Sequence, residues 1–262
     1  MANVACLSDD LIEHTLWIGL NRVDKGNAFN DALIVALEQV ILAGLDNQEV
    51  KAFCLYAHGQ IFSAGADVTW MLAAQDMNEA QNIAQAKQLA DVLNLWYQSP
   101  KPTLCLIQGH AYGGALGFIA ASDYCLTHAA THFCFSELKL GLIPAIISPY
   151  ILETLGLKKT KQLFLSAAHF TAQQALLMGL IDEIVDQQQL LARASAIVNA
   201  WTTHPSDAQQ QIKPWLQAIN SQSINPALIE KTAKKLASMR SSKDAKERLN
   251  AFLAQRQGKH DV

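Results

Sequence analysis

Two glycine-rich stretches of this chain carry groups that can stabilise a negative charge. The first spans His58–Asp67 and reads HGQIFSAGAD, and the second spans Gly109–Gly114 and reads GHAYGG. Small residues let a ligand approach the main chain, so that backbone N–H groups become available as donors. If the amides of Ala66 and Gly114 converge, they form an oxyanion hole, which stabilises an enolate or a tetrahedral oxyanion by several kcal/mol.

The second stretch lies between a predicted strand and a predicted helix. Thr103–Ile107 is an apolar run typical of a buried strand, and Ala115–Ala121 predicts a tightly packed helix. The first amides of a helix lack partners and lie at the positive end of its dipole. The turn at Gly113–Gly114 therefore favours an anion, or a group that becomes anionic during a reaction.

Strands and helices alternate through the first two-thirds of the chain, which predicts an α/β fold with largely parallel strands. Ligands of such folds bind beyond the carboxyl ends of the strands, so that residues 58–68 and 108–114 lie side by side. The chain begins with a predicted hairpin of Val4–Leu7 and His14–Leu20 that turns at Asp9–Asp10. Further strands are predicted over Val50–Ala57, Tyr124–Thr127 and Ile181–Val185. Helices are predicted over Ala32–Leu45 with Asn30 as its cap, over Asn78–Gln98, from Ser148, over Lys158–Ser166, and from the capping box at Thr171 to Gly179.

Only helices are predicted beyond about residue 187. We divide the chain into a core of residues 1–204 and a helical region of residues 205–262, with helices from a capping box at Ser206, from Asn225-Pro226 and from Ser241. Three amphipathic helices without a sheet must bury their apolar faces on their own core or on another subunit.

Composition excludes several functions. A formal net charge of −3 over 262 residues argues against nucleic acid as the main partner. The uncharged run from Pro102 to Ser122 is interrupted by Gln108, His110 and glycines, so we expect no membrane span. The N-terminal residues lack the pattern of a signal peptide, which makes the cytoplasm the expected location. Five cysteines without a CxxC pair predict reduced, mostly buried thiols.

No metal site is expected. His128 and His132 are four residues apart, but they lie on a predicted loop and are best read as ordinary polar residues. The glycines of the second stretch do not have the spacing of a dinucleotide-binding GxGxxG motif, which argues against an oxidoreductase.

Four motifs in order resemble the enoyl-CoA hydratase/isomerase (crotonase) family. They are NRVDKGNAFN from Asn21, FSAGAD from Phe62, QGHAYGGALG from Gln108 and FSELKLGLIP from Phe135. The resemblance implies a spiral of ββα repeats, a C-terminal helical trimerisation region, and a homotrimer or a hexamer of two trimers. It also implies an acyl-CoA substrate whose thioester carbonyl binds between the amides of Ala66 and Gly114, without a further cofactor.

The resemblance implies which residues contact the substrate. The backbone around Ala64–Val68, with Asp67, would contact coenzyme A, and Gly113 would border the acyl group. Met71 lies after this loop and either lines the acyl pocket or packs in the core. Lys25, Arg256 and Lys259 are cations that can meet the phosphates of coenzyme A, although a solvated surface role suits each of them.

Glu137 is the predicted acid–base residue. Family hydratases typically carry two glutamates, one at the position of Glu137 and one at the position of Gly117, so that this chain retains a single carboxylate. Gly117 lies one helical turn after Gly114 and would leave room for a bulkier acyl group. Three apolar neighbours, Leu138, Leu140 and Leu142, would keep the base partly buried.

The segment Ser136–Ile151 is most similar to bacterial methylglutaconyl-CoA and carboxygeranoyl-CoA hydratases. This similarity implies that the protein adds water to a branched, carboxylated 2-enoyl-CoA such as 3-methylglutaconyl-CoA. An enoyl-CoA isomerase that moves a proton with the same single glutamate is the first alternative, and a non-catalytic acyl-CoA-binding protein is the second.

Overall fold

The structure is a computed structural model that describes residues 6–257, and the side chains of residues 6–253. The chain divides into two compact units between Thr203 and His204. The strands are β1 (Leu7–Ile12), β2 (Thr15–Leu20), β3 (Ala52–Ala57), β4 (Ile61–Ser63), β5 (Thr103–Ile107), β6 (His110–Tyr112), β7 (Tyr124–Thr127), β8 (His132–Cys134), β9 (Phe170–Thr171) and β10 (Glu183–Ile184). The helices are α1 (Asp31–Asp46), α2 (Val68–Ala73), α3 (Glu79–Tyr97), α4 (Ala115–Ala120), α5 (Ser148–Ser166), α6 (Ala172–Met178), α7 (Leu190–Thr202), α8 (Ser206–Ile219), α9 (Pro226–Ser241) and α10 (Lys243–Gln257).

The strands of the first unit form a spiral of two sheets. The larger sheet has the order β1-β2-β3-β5-β7-β10 and the smaller one β4-β6-β8-β9. From β3 to α5 the chain repeats one unit three times: a strand in the larger sheet, a strand in the smaller sheet, and then helical structure. Neighbours along β2, β3, β5, β7 and β10 are parallel, as are β4, β6 and β8. The predicted spiral of ββα repeats is confirmed.

The hairpin at the start of the unit is real, but its predicted turn is wrong. Asp9 and Asp10 lie inside β1, where they pair with Ile18 and Trp17. The chain turns instead at Glu13 and His14, which both have positive φ angles (47° and 66°). Two consecutive positive φ angles define the tight turn whose twist matches a hairpin. Part of the strand predicted over Val4–Leu7 lies outside the described residues.

The helix caps that the sequence predicts at Asn30 and Thr171 are confirmed in the first unit. Asn30 caps α1 by accepting the amide of Leu33 at 3.0 Å. Thr171 and Gln174 form the predicted capping box of α6, which ends at the left-handed Gly179. The two helices predicted around residues 148–166 form α5, which Gly156 interrupts with φ 70° and ψ 163°. No described helix is long and apolar enough to cross a membrane.

The core lies between the larger sheet and the helices that cover it. Every residue of β5 is buried, as are the central residues of β3. The largest buried side chain, Trp96 on α3, donates its indole N–H to the hydroxyl of Ser122 at 2.8 Å. Four of the five cysteines are buried, and Cys6 is half-buried. The two glycine-rich loops therefore follow buried strands, β3 and β5, of the larger sheet.

Within residues 204–257, the second unit forms three helices, α8 to α10. Asn225 caps α9 by accepting the amide of Leu228 at 2.9 Å, as the sequence predicts. The capping box predicted at Ser206 is wrong, because Pro205 occupies the cap position and no side chain caps α8. Several large apolar side chains of this unit stay exposed: Ile212, Leu216, Leu236, Leu249, Phe252 and Leu253.

A histidine joins two strands of the smaller sheet. The backbone N–H of His132 on β8 donates to Nδ1 of His110 on β6 at 3.0 Å, so that this nitrogen must be unprotonated. Burial lowers the pKa of His110, and the neighbouring imidazoles of His132, His128 and His169 lower it further. The neutral form of His110 therefore holds together the strands that precede Gly113 and Glu137.

We expect the stability of the protein to fall at acidic pH through His110. Because the pKa of His110 is lowered on folding, the unfolded chain binds this proton more readily. The contribution is complete above the ordinary pKa of about 6.5 and decreases as the pH falls below it. Denaturant unfolding of the wild type and of His110→Asn, compared at about pH 7.5 and 5.5, measures the effect. Asn keeps an acceptor and does not titrate, so equal losses in the two proteins would contradict this role.

Candidate active site

The two glycine loops meet through their backbones. Gly65 has a φ of 91°, and a Cβ atom built on it would lie 3.1 Å from the carbonyl oxygen of Tyr112 and 3.7 Å from Cα of Gly113. No side chain can stand between the loops at this point. The structure thus brings together the two stretches that carry Ala66 and Gly114.

The amide of Ala66 is left available by the way its loop is anchored. Phe29 donates its N–H to the carbonyl of Gly65 at 2.7 Å and accepts the N–H of Asp67 at 2.9 Å. In such a parallel bridge the flanking residues make the bonds, and the N–H of Ala66 itself points away. Among residues 6–257, no acceptor contacts this amide.

The amide of Gly114 is also free among the described residues, while that of Gly113 donates to the carbonyl of Cys134 at 3.0 Å. Gly114 is the residue before α4, which is only six residues long. A helix of this length adds little macrodipole, so the predicted anion stabilisation must come from the two individual amides rather than from the helix.

Glu137 begins a 3₁₀ turn that follows β8, and its carboxylate lies over Gly113. A Cβ atom built on Gly113 would be 3.3 Å from Oε1 of Glu137. The other oxygen, Oε2, is buried and has no hydrogen-bond partner among the described residues. Burial raises the pKa of Glu137, because the charged form loses solvation. A raised pKa suits a group that both accepts and returns a proton.

The environment of Glu137 differs from the predicted one. Leu138, Leu140 and Leu142 are 44%, 58% and 49% exposed, so they do not enclose the carboxylate. The glutamate is half-buried, and its carboxylate turns back toward Gly113 at the end of the neighbouring strand. The apolar side chains of the 3₁₀ turn instead face outward.

Gly117 does not open a pocket. A Cβ atom built there would lie 2.5 Å from Cγ2 of Ile147 and 2.9 Å from Cδ2 of Leu93. Ile147 is 2% exposed and fills the space that the sequence suggested was free for substrate. Gly117 is therefore a packing residue where α4 meets the segment before α5, and the expectation of added room is wrong.

We expect Gly117→Ala to destabilise the protein by about 1–3 kcal/mol, because the new methyl group overlaps Ile147. Denaturant unfolding measures this loss. Ile147→Ala removes the overlapping Cγ2 atom, so Gly117→Ala should cost less in the Ile147→Ala background than in the wild type. A Gly117→Ala protein as stable as the wild type would show that this contact relaxes easily.

An ion pair that the sequence did not reveal supports the first loop. Arg22 donates to Oδ2 of Asp67 at 2.9 Å, with only 15% and 13% of the two side chains exposed. Arg22 also donates to the carbonyl oxygen of Ala28. The guanidinium of Arg22 holds the pKa of Asp67 below its usual range, and Oδ1 of Asp67 caps α2 by accepting the amide of Thr69.

Asn27 completes this support from inside the same segment. Its side chain donates to the carbonyls of His58 and Ile61 at 2.8 Å each and accepts the amide of Arg22. Its own carbonyl accepts the hydroxyl of Ser63 at 2.9 Å. The only sequence signal for this arrangement was the NRVDKGNAFN motif. The carboxylate of Asp67, which is predicted to contact coenzyme A, already accepts hydrogen bonds from the side chain of Arg22 and the amide of Thr69.

We expect the ion pair to show coupling in a double-mutant cycle. Asp67→Asn keeps the helix cap but leaves Arg22 partly buried without its partner, which should cost about 2 kcal/mol or more of unfolding free energy. Arg22→Met with Asp67→Asn should cost less than the sum of the single changes, as measured by denaturant unfolding. Additive effects would contradict a direct contribution of the pair.

The other predicted contact residues lie around the first loop. Ala64 is exposed and donates its amide to the carbonyl of Gly26 at 2.8 Å, which places it next to the exposed Lys25. Val68 is exposed at the start of α2, and Met71 is half-buried on the same helix. Lys259 and the side chain of Arg256 lie outside the described residues.

A recess adjoins this part of the molecule. It has a volume of about 400 Å³ and lies between the turn at Val23–Asn27 and the loop at His58–Ile61. Lys25 belongs to the first of these segments.

His128 and His132 each lie against a backbone carbonyl. Among residues 6–257 no group of three or more His, Cys, Asp or Glu side chains is arranged to bind a metal ion. Nε2 of His128 lies 3.0 Å from the carbonyl of Gln108, and Nδ1 of His132 lies 3.0 Å from the carbonyl of Ala130. Both have the local polar roles that the sequence favoured.

Comparison with known proteins agrees with the geometry. A family model described as enoyl-CoA hydratase/isomerase matches residues 13–261. An enoyl-CoA hydratase structure from Shewanella pealeana is 36% identical, with a TM-score of 0.92 over 97% of this chain and 95% of the other. AtuE from Pseudomonas aeruginosa is 27% identical, with a TM-score of 0.90 over 95% and 97% of the two chains.

A relative with a different printed activity is also similar. The trans-2-decenoyl-[acyl-carrier-protein] isomerase of Streptococcus mutans is 24% identical over 173 residues, which cover 65% of this chain and 66% of the relative. The spiral of ββα repeats and the family match over residues 13–261 lead to one conclusion. The protein is an enzyme of the enoyl-CoA hydratase/isomerase (crotonase) family.

Proposed function

We propose that the protein adds water to a 2-enoyl-CoA thioester. The observation that carries this proposal is the position of Glu137, whose carboxylate lies over Gly113, the residue before Gly114. In this proposal the amides of Ala66 and Gly114 bind the thioester oxygen, and coenzyme A enters only as part of the substrate. No metal ion or redox cofactor takes part in the proposed steps.

The proposed reaction moves one proton through Glu137. The carboxylate removes a proton from water while the water oxygen bonds to C3 of the substrate. The electrons of the C2–C3 double bond move toward the thioester, and the two amides stabilise the enolate oxygen. Glu137 then returns the proton to C2, so that one molecule of water has been added and the enzyme is restored.

The isomerase alternative has a specific observation in its favour. Ile147 and Leu93 surround Gly117, so that the side of α4 one turn beyond Gly114 is apolar. A single carboxylate suffices to move a proton between C2 and C4, and an isomerase is among the relatives. A purely binding role is less well supported, because Glu137 turns inward and buries Oε2 rather than facing solvent.

For the acyl group we propose a branched, carboxylated chain such as that of 3-methylglutaconyl-CoA. This proposal rests on the similarity of Ser136–Ile151 to hydratases of such substrates. Gly117 does not support this proposal, because Ile147 occupies the space beside it. We also propose a homotrimer or a pair of trimers, for which the exposed apolar side chains of α8 to α10 provide a surface.

We expect the wild type to add the mass of water to 3-methylglutaconyl-CoA faster than to crotonyl-CoA. Glu137→Gln should lower kcat for hydration at least about a hundredfold with a nearly unchanged KM, since the amide cannot accept the proton. Because the pKa of Glu137 is raised, kcat/KM should fall as the pH drops through a value above the usual 4.3 or so of a glutamate.

Mass spectrometry of the products, with a 3-enoyl-CoA as a third substrate, decides between the alternatives. Conversion of the 3-enoyl-CoA to the 2-enoyl-CoA without hydration of either 2-enoyl substrate would establish the isomerase. Faster hydration of crotonyl-CoA would reject the branched substrate. An active Glu137→Gln protein would remove Glu137 from its role.

A further inference from the structure

Phe29 contacts both of the segments that carry the proposed oxyanion amides. Its N–H donates to the carbonyl of Gly65 at 2.7 Å, and its carbonyl accepts the N–H of Asp67 at 2.9 Å. Its side chain is 1% exposed and stacks on the ring of Phe118, with 5.5 Å between the ring centroids and 13° between the ring planes. Phe118 lies on α4, the helix that follows the second glycine-rich stretch. The main chain of Phe29 thus holds the first segment, and its ring packs against the second.

The hydrogen bond from Phe29 fixes the direction of the first amide. The carbonyl of Gly65 and the N–H of Ala66 belong to one planar trans peptide unit, in which the two groups point in opposite directions. Because the N–H of Phe29 holds this carbonyl on one side, the N–H of Ala66 is directed to the other side. The orientation of this donor therefore depends on where the main chain of Phe29 lies.

The second amide is oriented in the same way within its own segment. The N–H of Leu116 donates to the carbonyl of Gly113 at 3.0 Å, and this carbonyl belongs to the same peptide unit as the N–H of Gly114. In the part of the chain that the structure describes, no hydrogen bond joins residues 64–67 to residues 113–117. Each donor is thus fixed locally, but these bonds do not set the distance between the two donors.

The stacked rings of Phe29 and Phe118 connect the two segments. The close approach of Gly65 to Gly113 limits how near the segments can come, but a contact without a bond does not stop them from separating. Phe118 lies four residues after Gly114, which is about one helical turn along α4. In a close-packed interior a ring cannot move without leaving a void or overlapping a neighbour. The stack therefore resists a displacement of one segment from the other.

We propose that Phe29 is a positioning residue that holds the amides of Ala66 and Gly114 at the separation that one oxygen atom needs. This inference rests on the proposed oxyanion hole. The thioester oxygen must accept both N–H groups at about 2.7–3.1 Å, so that displacement of one segment weakens one of the two bonds. The weakening acts most strongly on the transition state, because negative charge grows on this oxygen as the enolate forms. Loss of the ring should therefore lower kcat more than it raises KM.

Phe53 offers a matched control, because it is an equally buried ring at a different place in the core. It lies at the end of β3 that is remote from the first glycine-rich stretch, and it is 0% exposed. It packs against Trp96 with 6.0 Å between the ring centroids. Replacing either phenylalanine by leucine leaves a cavity and lowers the stability of the protein. Only the change at Phe29 is expected to affect the two amides.

The first test measures the polarisation of the thioester carbonyl. Butyryl-CoA with ¹³C at this carbonyl has no double bond to hydrate or to move, so its infrared band at saturation reports the bound carbonyl alone. Two well-placed donors lower the stretching frequency of the carbonyl on binding. We expect Phe29→Leu and Phe118→Leu to show a smaller lowering than the wild type, and Phe53→Leu to show the wild-type value.

The second test measures turnover of the same three variants on the substrate that the wild type converts. We expect Phe29→Leu and Phe118→Leu to lower kcat about tenfold with KM within about twofold of the wild type, because a small misplacement of a donor is costly in the transition state. The double variant should lose little more than the larger single loss, since either change removes the same contact. Phe118→Leu retains the residue that makes the main-chain bonds, so it provides the result if Phe29→Leu does not fold.

Three outcomes would overturn the inference. A wild-type carbonyl frequency in both Phe29→Leu and Phe118→Leu would show that the stack does not position the amides. An equal change in Phe53→Leu would show that the loss of any core ring has this effect. A wild-type protein that leaves the carbonyl frequency of butyryl-CoA unchanged would reject the proposed oxyanion hole itself, and this result is recognised before any variant is compared.

Discussion

The contact between the backbone of Gly65 and that of Tyr112 and Gly113 sets the geometry of the site. Two main chains can approach so closely only where one residue has no Cβ atom and a φ angle that other residues avoid. Each of the two segments carries one amide that has no acceptor among residues 6–257, that of Ala66 in the first and that of Gly114 in the second. Because the two segments follow strands of successive repeats, the spiral of the fold places them side by side.

The loop of the first amide is also held by a segment that is distant in sequence. Ala66 lies between β4 and α2, as Gly114 lies between β6 and α4. The segment from Arg22 to Phe29 holds this loop through an ion pair, a buried asparagine and two backbone bonds to Phe29. Donors stabilise a developing charge best when they are held in place before the reaction begins, and these distant residues hold the backbone on both sides of Ala66.

The sequence revealed the alternation of strands and helices, because apolar periodicity and helix caps are local signals. Asn30 and Thr171 each begin a helix with a side chain that accepts the amide of the residue three positions later. The sequence does not predict strands β4, β6 and β8, because three residues are too few to show an alternation of apolar and polar side chains. The surroundings of Gly117 and Glu137 depend on Ile147 and on the direction of a side chain, and neither follows from spacing along the chain.

The packing of Ile147 against Gly117 also constrains how this site can change over evolutionary time. A larger residue at position 117 meets an isoleucine side chain that is already in place, so its effect depends on what stands at position 147. If a smaller residue replaced Ile147 first, it would leave a cavity in the core, and this cavity would lower the stability of the protein. Either order passes through a less stable intermediate. The effects of the two positions are therefore coupled, and the packing at Ile147 opposes the return of a carboxylate side chain at position 117.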